Sequence, residues 1–277
     1  MAGRYRAEVK TIEKPWGEWF SLDELEAALI EHKPAILAMV HAETSTGVCQ
    51  PMEGIGDLCR KHDCLLLLDT VTSLGGVPLY IDEWKVDLAY SCSQKGLSCP
   101  PGLGPFTMGP RAEAKMTARQ GKVPNWYLDV SLLNQYWGSD RVYHHTAPVN
   151  MNFGMREALR LLAEEGLDQA WARHRSNAEM LWNGLESLGL SMHVPAERRL
   201  PTLTTVRIPE GVDGKAFSQH LLNNHGIEVG GGLGSLAGKI WRIGLMGYNS
   251  TPENVNRLLN LFETELPRFS GSVAAAA

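Results

Sequence analysis

No run of apolar residues in the sequence approaches the ~18 that a membrane-spanning helix needs, so it offers no membrane segment. Nor is positive charge in excess: 26 Lys and Arg against 31 Asp and Glu leave a net −5, with the basic residues scattered. A nucleic-acid-binding face concentrates positive charge, so nucleic acid is set aside as a partner. Cysteine is scarce and odd in number, at positions 49, 59, 64, 92 and 99. That is no disulfide framework, and it points to a reducing compartment. The opening "MAGRYRAEVKTIEKPW" has no apolar core of the signal-peptide kind and is not Ser-rich and amphipathic. The final residues are not a Ser-Lys-Leu address, so no targeting signal is visible. Internal repeats are absent too.

What is present is an ordinary globular composition, 44% hydrophobic over 277 residues, enough for one large domain or two smaller ones. "RAEVKTIEK" alternates like a strand. "SLDELEAALIEHK" has helical period, with Ser21 and Glu24 at capping-box spacing. After Pro34, "AILAMVHA" reads as a buried strand, "MEGIGDLCRKHD" as a helix and "CLLLLDTVTS" as a strand apolar on both faces. "VDLAYSCSQ" and "LGPFTMG" add short strands. Buried strands alternating with helices mark a parallel α/β sheet. From "MNFGMREALRLLAEEGL" the pattern changes to two long helices separated by Gly166. "TLTTVRI", "IEVGGG" and "KIWRIGLMG" follow as strands, with a helix before and after the last two. Thr251 and Pro252 form an N-cap and first-turn pair for the final helix. The expected organisation is a large domain over 1–165 that includes a connecting helix, a small α+β domain over 166–267, and a frayed tail over 268–277.

Two clusters invite a metal and are set aside. "CRKHDC" brings Cys59, His62 and Cys64 close, but structural zinc takes four ligands, usually as two pairs, and no second pair follows. A helix end with half-buried thiols is expected there. "VYHHTAPV" has His144 and His145 without a carboxylate or cysteine at ligand spacing.

Asp69 closes the run "CLLLLD". Ligands of parallel α/β sheets bind at the carboxyl ends of strands, and a desolvated carboxylate there calls for a cation. Lys95 ends the next strand-like segment, among Ser, Gln and Gly and just before Pro100-Pro101-Gly102. Both fall on one rim of the sheet. A lysine that forms a Schiff base and a carboxylate that keeps a pyridine nitrogen protonated are what pyridoxal phosphate requires. On these residues alone a Schiff-base lysine of the aldolase kind stays open. Arg242 lies in the apolar strand "IWRIGLMG" and needs an anionic partner, either an internal carboxylate or a ligand. "GGGLGSLAG" before it lacks G-x-G-x-x-G spacing and leads into a strand, so it is no nucleotide loop.

The stretch "LLLLDTVTSLGGVPLYIDEWKVDLAYSCSQKGLSCPPGLGPF" closely resembles the alanine–glyoxylate (serine–pyruvate) aminotransferases, in class V of the fold-type I pyridoxal-phosphate enzymes. The likeness runs from "IEHKPAILAMVHAETSTGV" through "RVYHHTAPV" to "GGGLGSLAGKIWRIGLMG". It implies an α/β fold with pyridoxal 5'-phosphate held by Lys95, which would also shuttle the substrate α-proton. It implies Asp69 at the ring nitrogen, Val71 against the ring, Ser45 near the ring hydroxyl, and Gln94 at the phosphate. Ser45 as a helix N-cap stays open. Tyr143 and Thr146 would reach the phosphate of a second subunit in a homodimer, and Arg242 would take the α-carboxylate of small amino acids and 2-oxo acids. Peroxisomal or mitochondrial residence follows from the resemblance alone.

The expected reaction is transfer of an amino group from alanine or serine to glyoxylate or pyruvate. The alternatives are a related class V activity such as 3-hydroxykynurenine transamination, or a non-catalytic product. Family members carry a segment before "RYRAEVKTI" with a Ser-Gly-His phosphate loop and a stacking tryptophan; Trp16 and Trp19 lie in the wrong place to replace the latter. The sequence therefore reads as N-terminally truncated: a fragment, a short isoform or an incomplete gene model. By itself it is expected to be poorly soluble and to hold cofactor weakly.

Overall fold

The computed structural model describes residues 2–5 and 7–271. Residues 7–13 are exposed and Lys14 is half-buried, and none of them pairs with a strand among the described residues, so the alternating opening forms no ladder. An alternating pattern is not a strand until a neighbour accepts its hydrogen bonds. Helix α1 (Leu22–His32) begins where expected: the Ser21 hydroxyl caps the Glu24 N–H and the Glu24 carboxylate returns to the Ser21 N–H. It turns off at Lys33, in the left-handed region at φ 45°, just before Pro34.

Strand β1 (Ile36–Val40) is followed by a tight hairpin, β2 (Ala42–Glu43) and β3 (Val48–Cys49), then α2 (Ile55–Lys61), β4 (Leu65–Asp69), β5 (Leu88–Tyr90) and β6 (Phe106–Met108). The sheet order is β1-β4-β5-β6, with the first three parallel and β6 antiparallel. β1 is an edge strand rather than a buried one, and Ile36 and Val40 are 46% and 37% exposed. Apolar content alone does not tell an edge strand from a central one. Leu25 and Leu29 of α1 and Ile55 and Cys59 of α2 pack on Leu66 and Leu68 of β4. Cys59 and Cys64 are wholly buried, not half-buried, and His62 bonds Glu26 instead of joining them.

Two short helices, α3 (Pro110–Thr117) and α4 (Val130–Trp137), precede the long pair α5 (Val149–Glu165) and α6 (Leu167–Ser187), which part at Gly166. Then come β7 (Leu203–Arg207), α7 (Gly214–His225), β8 (Gly230–Gly231), β9 (Ile240–Gly244) and α8 (Pro252–Glu265). Their sheet, ordered β7-β9-β8, is antiparallel. A second core forms on it from Leu181 and Leu185, Phe217 and Leu221, Trp241 and Ile243, and Leu258 and Phe262. Thr251 caps α8 with Pro252 in its first turn. The chain is not frayed from residue 268: Leu266–Phe269 forms a 3-10 turn, and the Phe269 ring meets Phe217 at 5.5 Å. Residues 272–277 of the expected tail lie outside the described residues. No described helix is long and apolar enough to cross a membrane.

Candidate functional site

Asp69 is the last residue of β4, paired in parallel register with Val40 and Tyr90. One carboxylate oxygen accepts the Val71 N–H at 2.8 Å, and the other accepts the Tyr90 hydroxyl at 2.6 Å. The group is half-buried, and it enters no ion pair among the described residues. Burial, reinforced by the bond to Asp69, pushes the Tyr90 hydroxyl up to about 12. Tyr90 therefore stays protonated at neutral pH and donates. Two neutral donors orient the carboxylate without cancelling its charge.

Lys95 sits in the loop between β5 and β6. Ser93 folds that loop: its hydroxyl donates to the Pro100 carbonyl at 2.7 Å and accepts the Leu103 N–H, while its carbonyl accepts the Cys99 N–H. Gly96 passes so close to the segment after Asp69 that a Cβ there would run into the Leu74 carbonyl oxygen. The small neighbours are thus a packing necessity. Lys95 is half-buried and its ammonium has no hydrogen bond or ion pair among the described residues. Gln94 is exposed, and its side chain makes no hydrogen bond among the described residues. Gly96→Ala should displace the lysine-bearing turn and cost about 1–3 kcal/mol, the usual penalty of overpacking. Urea denaturation of the two proteins measures it, and equal midpoints would refute the packing account.

Arg242 lies on β9 opposite Thr205 of β7. Its Nε donates to the Gly231 carbonyl at 2.7 Å and its Nη1 to the Thr44 carbonyl at 3.3 Å. No carboxylate pairs with it among the described residues, so the internal salt bridge is not the answer. Thr44 and Ser45 form the turn of the β2–β3 hairpin. Ser45 caps no helix: its N–H and hydroxyl both donate to Glu43 Oε1 at 2.7 Å.

These parts meet in a closed circuit. The His41 N–H donates to the Asp69 carbonyl, and three residues on the hairpin receives Arg242. Five residues beyond Arg242, Gly247 packs against Ser98, whose hydroxyl accepts the Tyr248 N–H at 2.8 Å. Ser98 also bonds back to the Lys95 carbonyl, and Gly96 returns to the segment that follows Asp69. Further bonds hold the seam between the two sheets, Thr202 to the Thr72 carbonyl and Thr205 to the Thr46 carbonyl.

The description "Aminotransferase class-V" fits residues 1–258 as a family model. The chain belongs to the class V aminotransferases. An alanine–glyoxylate aminotransferase of Oryctolagus cuniculus is 46% identical over 92% of this chain, and one of Mus musculus 44% over 93%. The chain spans 66% and 63% of those two proteins, just under two thirds. Among crystal structures, an alanine–glyoxylate aminotransferase of Nostoc sp. is 65% identical at a TM-score of 0.93, covering 95% of this chain and 70% of that one. A ureidoglycine–glyoxylate aminotransferase of Bacillus subtilis is 40% identical at 0.94, covering 97% and 69%. The fold is therefore the α/β fold-type I architecture of these aminotransferases.

In this class V chain Tyr143 and Thr146 hydrogen-bond each other at 3.1 Å on the surface, and neither bonds to Lys95 or Asp69. His144 stacks on Trp126 at 4.0 Å and bonds His145 through Nδ1, with no third metal-ligating group beside them among the described residues. Tyr90, His41 and Ser98 escaped sequence reasoning. Their signal is strand register and loop docking, which no motif carries. A cavity of about 530 Å³ also adjoins His41, between Trp84, Trp171 and Arg198, but none of Lys95, Asp69 and Arg242 lines it.

His41 of this class V chain is 4% exposed, its Nδ1 has no partner among the described residues, and its Nε2 faces the Cys49 sulfur at 3.6 Å. Burial lowers the imidazole to about 4, with Glu53 opposing weakly. The unfolded chain therefore binds a proton that the folded chain refuses between about pH 6.5 and 4. Stability is full above that window and falls through it as pH drops, by about 3 kcal/mol at most. His41→Phe should flatten this part of the slope in urea denaturation at several pH values. An unchanged slope would count against it.

Proposed function

We propose that the protein transfers the amino group of alanine or serine to glyoxylate or pyruvate, with pyridoxal 5'-phosphate as cofactor. The observation that carries this is the seam itself. There a lysine without a partner, a carboxylate without a cation and a guanidinium without an anion, all among the described residues, are joined through one circuit of contacts.

The residues fit the cofactor. Asp69, whose carboxylate among the described residues is bonded by neutral donors alone, suits a protonated ring nitrogen, and the close pass of Gly96 on the Leu74 carbonyl holds Lys95 beside the segment that follows Asp69. Lys95 would hold the cofactor through Nζ, Val71 would pack on the ring with Ser45 near its edge, and Gln94 would meet the phosphate. When bound, the cofactor supplies an electron sink for the pair left at the substrate α-carbon. Lys95 Nζ, once free, takes the α-proton and returns it. Asp69 keeps the ring nitrogen's proton in place, with Tyr90 and the Val71 N–H fixing its orientation. Arg242 meets the substrate α-carboxylate, whose two oxygens match the planar fork of a guanidinium.

Glyoxylate is favoured as acceptor because the rabbit, Nostoc and Bacillus proteins share it in their names, while the donor named is alanine in the first two and ureidoglycine in the third. A homodimer is part of the same reading, with Tyr143 and Thr146 serving the partner's phosphate. In its support, Tyr143 is 74% exposed, and Trp137 and Phe153, which flank it in the sequence, are 62% and 66% exposed. Peroxisomal or mitochondrial residence rests on resemblance only.

The test is a visible spectrum with excess pyridoxal phosphate. A band should form, be discharged by alanine and be restored by glyoxylate. No band, or a band indifferent to amino acids, would overturn the proposal.

A further inference from the structure

Away from the seam, the carboxyl ends of α7 and α8 bring together three groups that the aminotransferase reading does not use. His220, His225 and Glu265 each offer a donor atom within 4.8 Å of the other two. We propose that this His-His-Glu cluster is a divalent-metal site of the zinc type that ties the two helix ends together. The inference is independent of the proposed reaction.

Three observations carry it. The first is the donor set. Two imidazoles and a carboxylate suit Zn²⁺, which takes them at about 2.0–2.2 Å with water completing four ligands. Such a polyhedron puts donors roughly 3.3–3.5 Å apart, so the cluster must tighten by up to about 1.5 Å. The second is that one ligand is idle. The ring nitrogens of His225 have no hydrogen bond among the described residues, although the ring is half-buried and lies 5.3 Å from that of His220. The third is the setting. His225 and Glu265 are the last residues of their helices, whose carboxyl ends carry partial negative charge and favour a cation, a role the Arg257 guanidinium partly fills by donating to the His225 carbonyl at 2.6 Å.

The present bonding shows how the ligands would be presented. The Asn224 amide donates to His220 Nδ1 at 3.2 Å, which leaves the ring proton on Nε2, and Nε2 donates to Glu265 Oε2 at 2.9 Å. A metal on Nε2 moves that proton to Nδ1, and an amide flip of Asn224 then offers its carbonyl. This is the outer-sphere arrangement usual for a ligating histidine. One group competes: Arg268 donates to Glu265 Oε2 at 2.6 Å. His220 and Glu265 are 45 positions apart, and the two histidines do not stand at the usual i, i+4 spacing, so no sequence motif marks the site.

The experiment is calorimetric titration of the chelator-treated chain with Zn²⁺, with Co²⁺ absorption as a second readout. One equivalent of Zn²⁺ should bind and raise the melting temperature. His225→Gln should weaken binding about tenfold or more and abolish the thermal shift, with little change in the metal-free melting temperature. Arg268→Ala should tighten binding several-fold, because it frees Glu265. If His225→Gln binds Zn²⁺ as well as the parent does, or Arg268→Ala weakens binding, the site is a structural His–Glu pair and the proposal fails.

Discussion

Replacing Lys95 by alanine should slow amino-group transfer by at least about 10²–10⁴, the share that a positioned proton-transfer group supplies. It should also remove the residue to which borohydride fixes the cofactor. The expectation follows from the surroundings of the side chain. A half-buried ammonium with no partner is costly unless something else occupies it. Here the loop is held for it by Ser93, Ser98 and the close pass of Gly96. Peptide mapping after borohydride should therefore place the label on Lys95. Label on Lys115, whose ammonium lies by the Asp63 carbonyl, or on exposed Lys122, would sink the assignment.

Removing the guanidinium should show up in substrate affinity rather than in cofactor. Arg242→Ala is expected to weaken amino-acid binding by roughly 2–5 kcal/mol, about 1.5 to 3.5 orders of magnitude, as when one member of a buried charge pair is lost. The visible band should be almost unchanged, because the protein contacts of Arg242 are the Gly231 and Thr44 carbonyls, outside the Asp69 and Lys95 bonding. Titration of the band with alanine separates the two effects. Loss of the band with normal affinity in what remains would make Arg242 a structural tie between β8, β9 and the hairpin.

Much of this site could be read before the fold was known, because its parts stand where local rules put them. A carboxylate closing an apolar run is the end of a buried strand, and Asp69 is that. Glycine and serine around a lone lysine point to a fixed approach for something bulky; what Gly96 shows is a close pass on the Leu74 carbonyl. The caps at Ser21 and Thr251 are local chemistry and came through intact. The parts that escaped depend on what lies alongside. Register put Tyr90 beside Asp69, and a hairpin turn kept Ser45 for Glu43. β1 became an edge although its residues are as apolar as those of β4. α4 was hidden for the opposite reason: it buries none of its residues, so its apolar positions do not mark a core face.

The bond from the Tyr248 N–H to Ser98, with Gly247 pressed against the same side chain at φ 56°, bears on how such proteins can be recombined. Ser98 itself holds a left-handed φ of 56°, so neither residue is free to vary alone. A hybrid that takes residues 166–267 from one class V relative and the rest from another inherits this joint from two parents. Where the donors differ at 98 or 247, the lysine-bearing turn is set by a mismatched partner. Crossover libraries should therefore move residues 93–99 together with 244–250, as one heritable block that the linear order of the chain conceals.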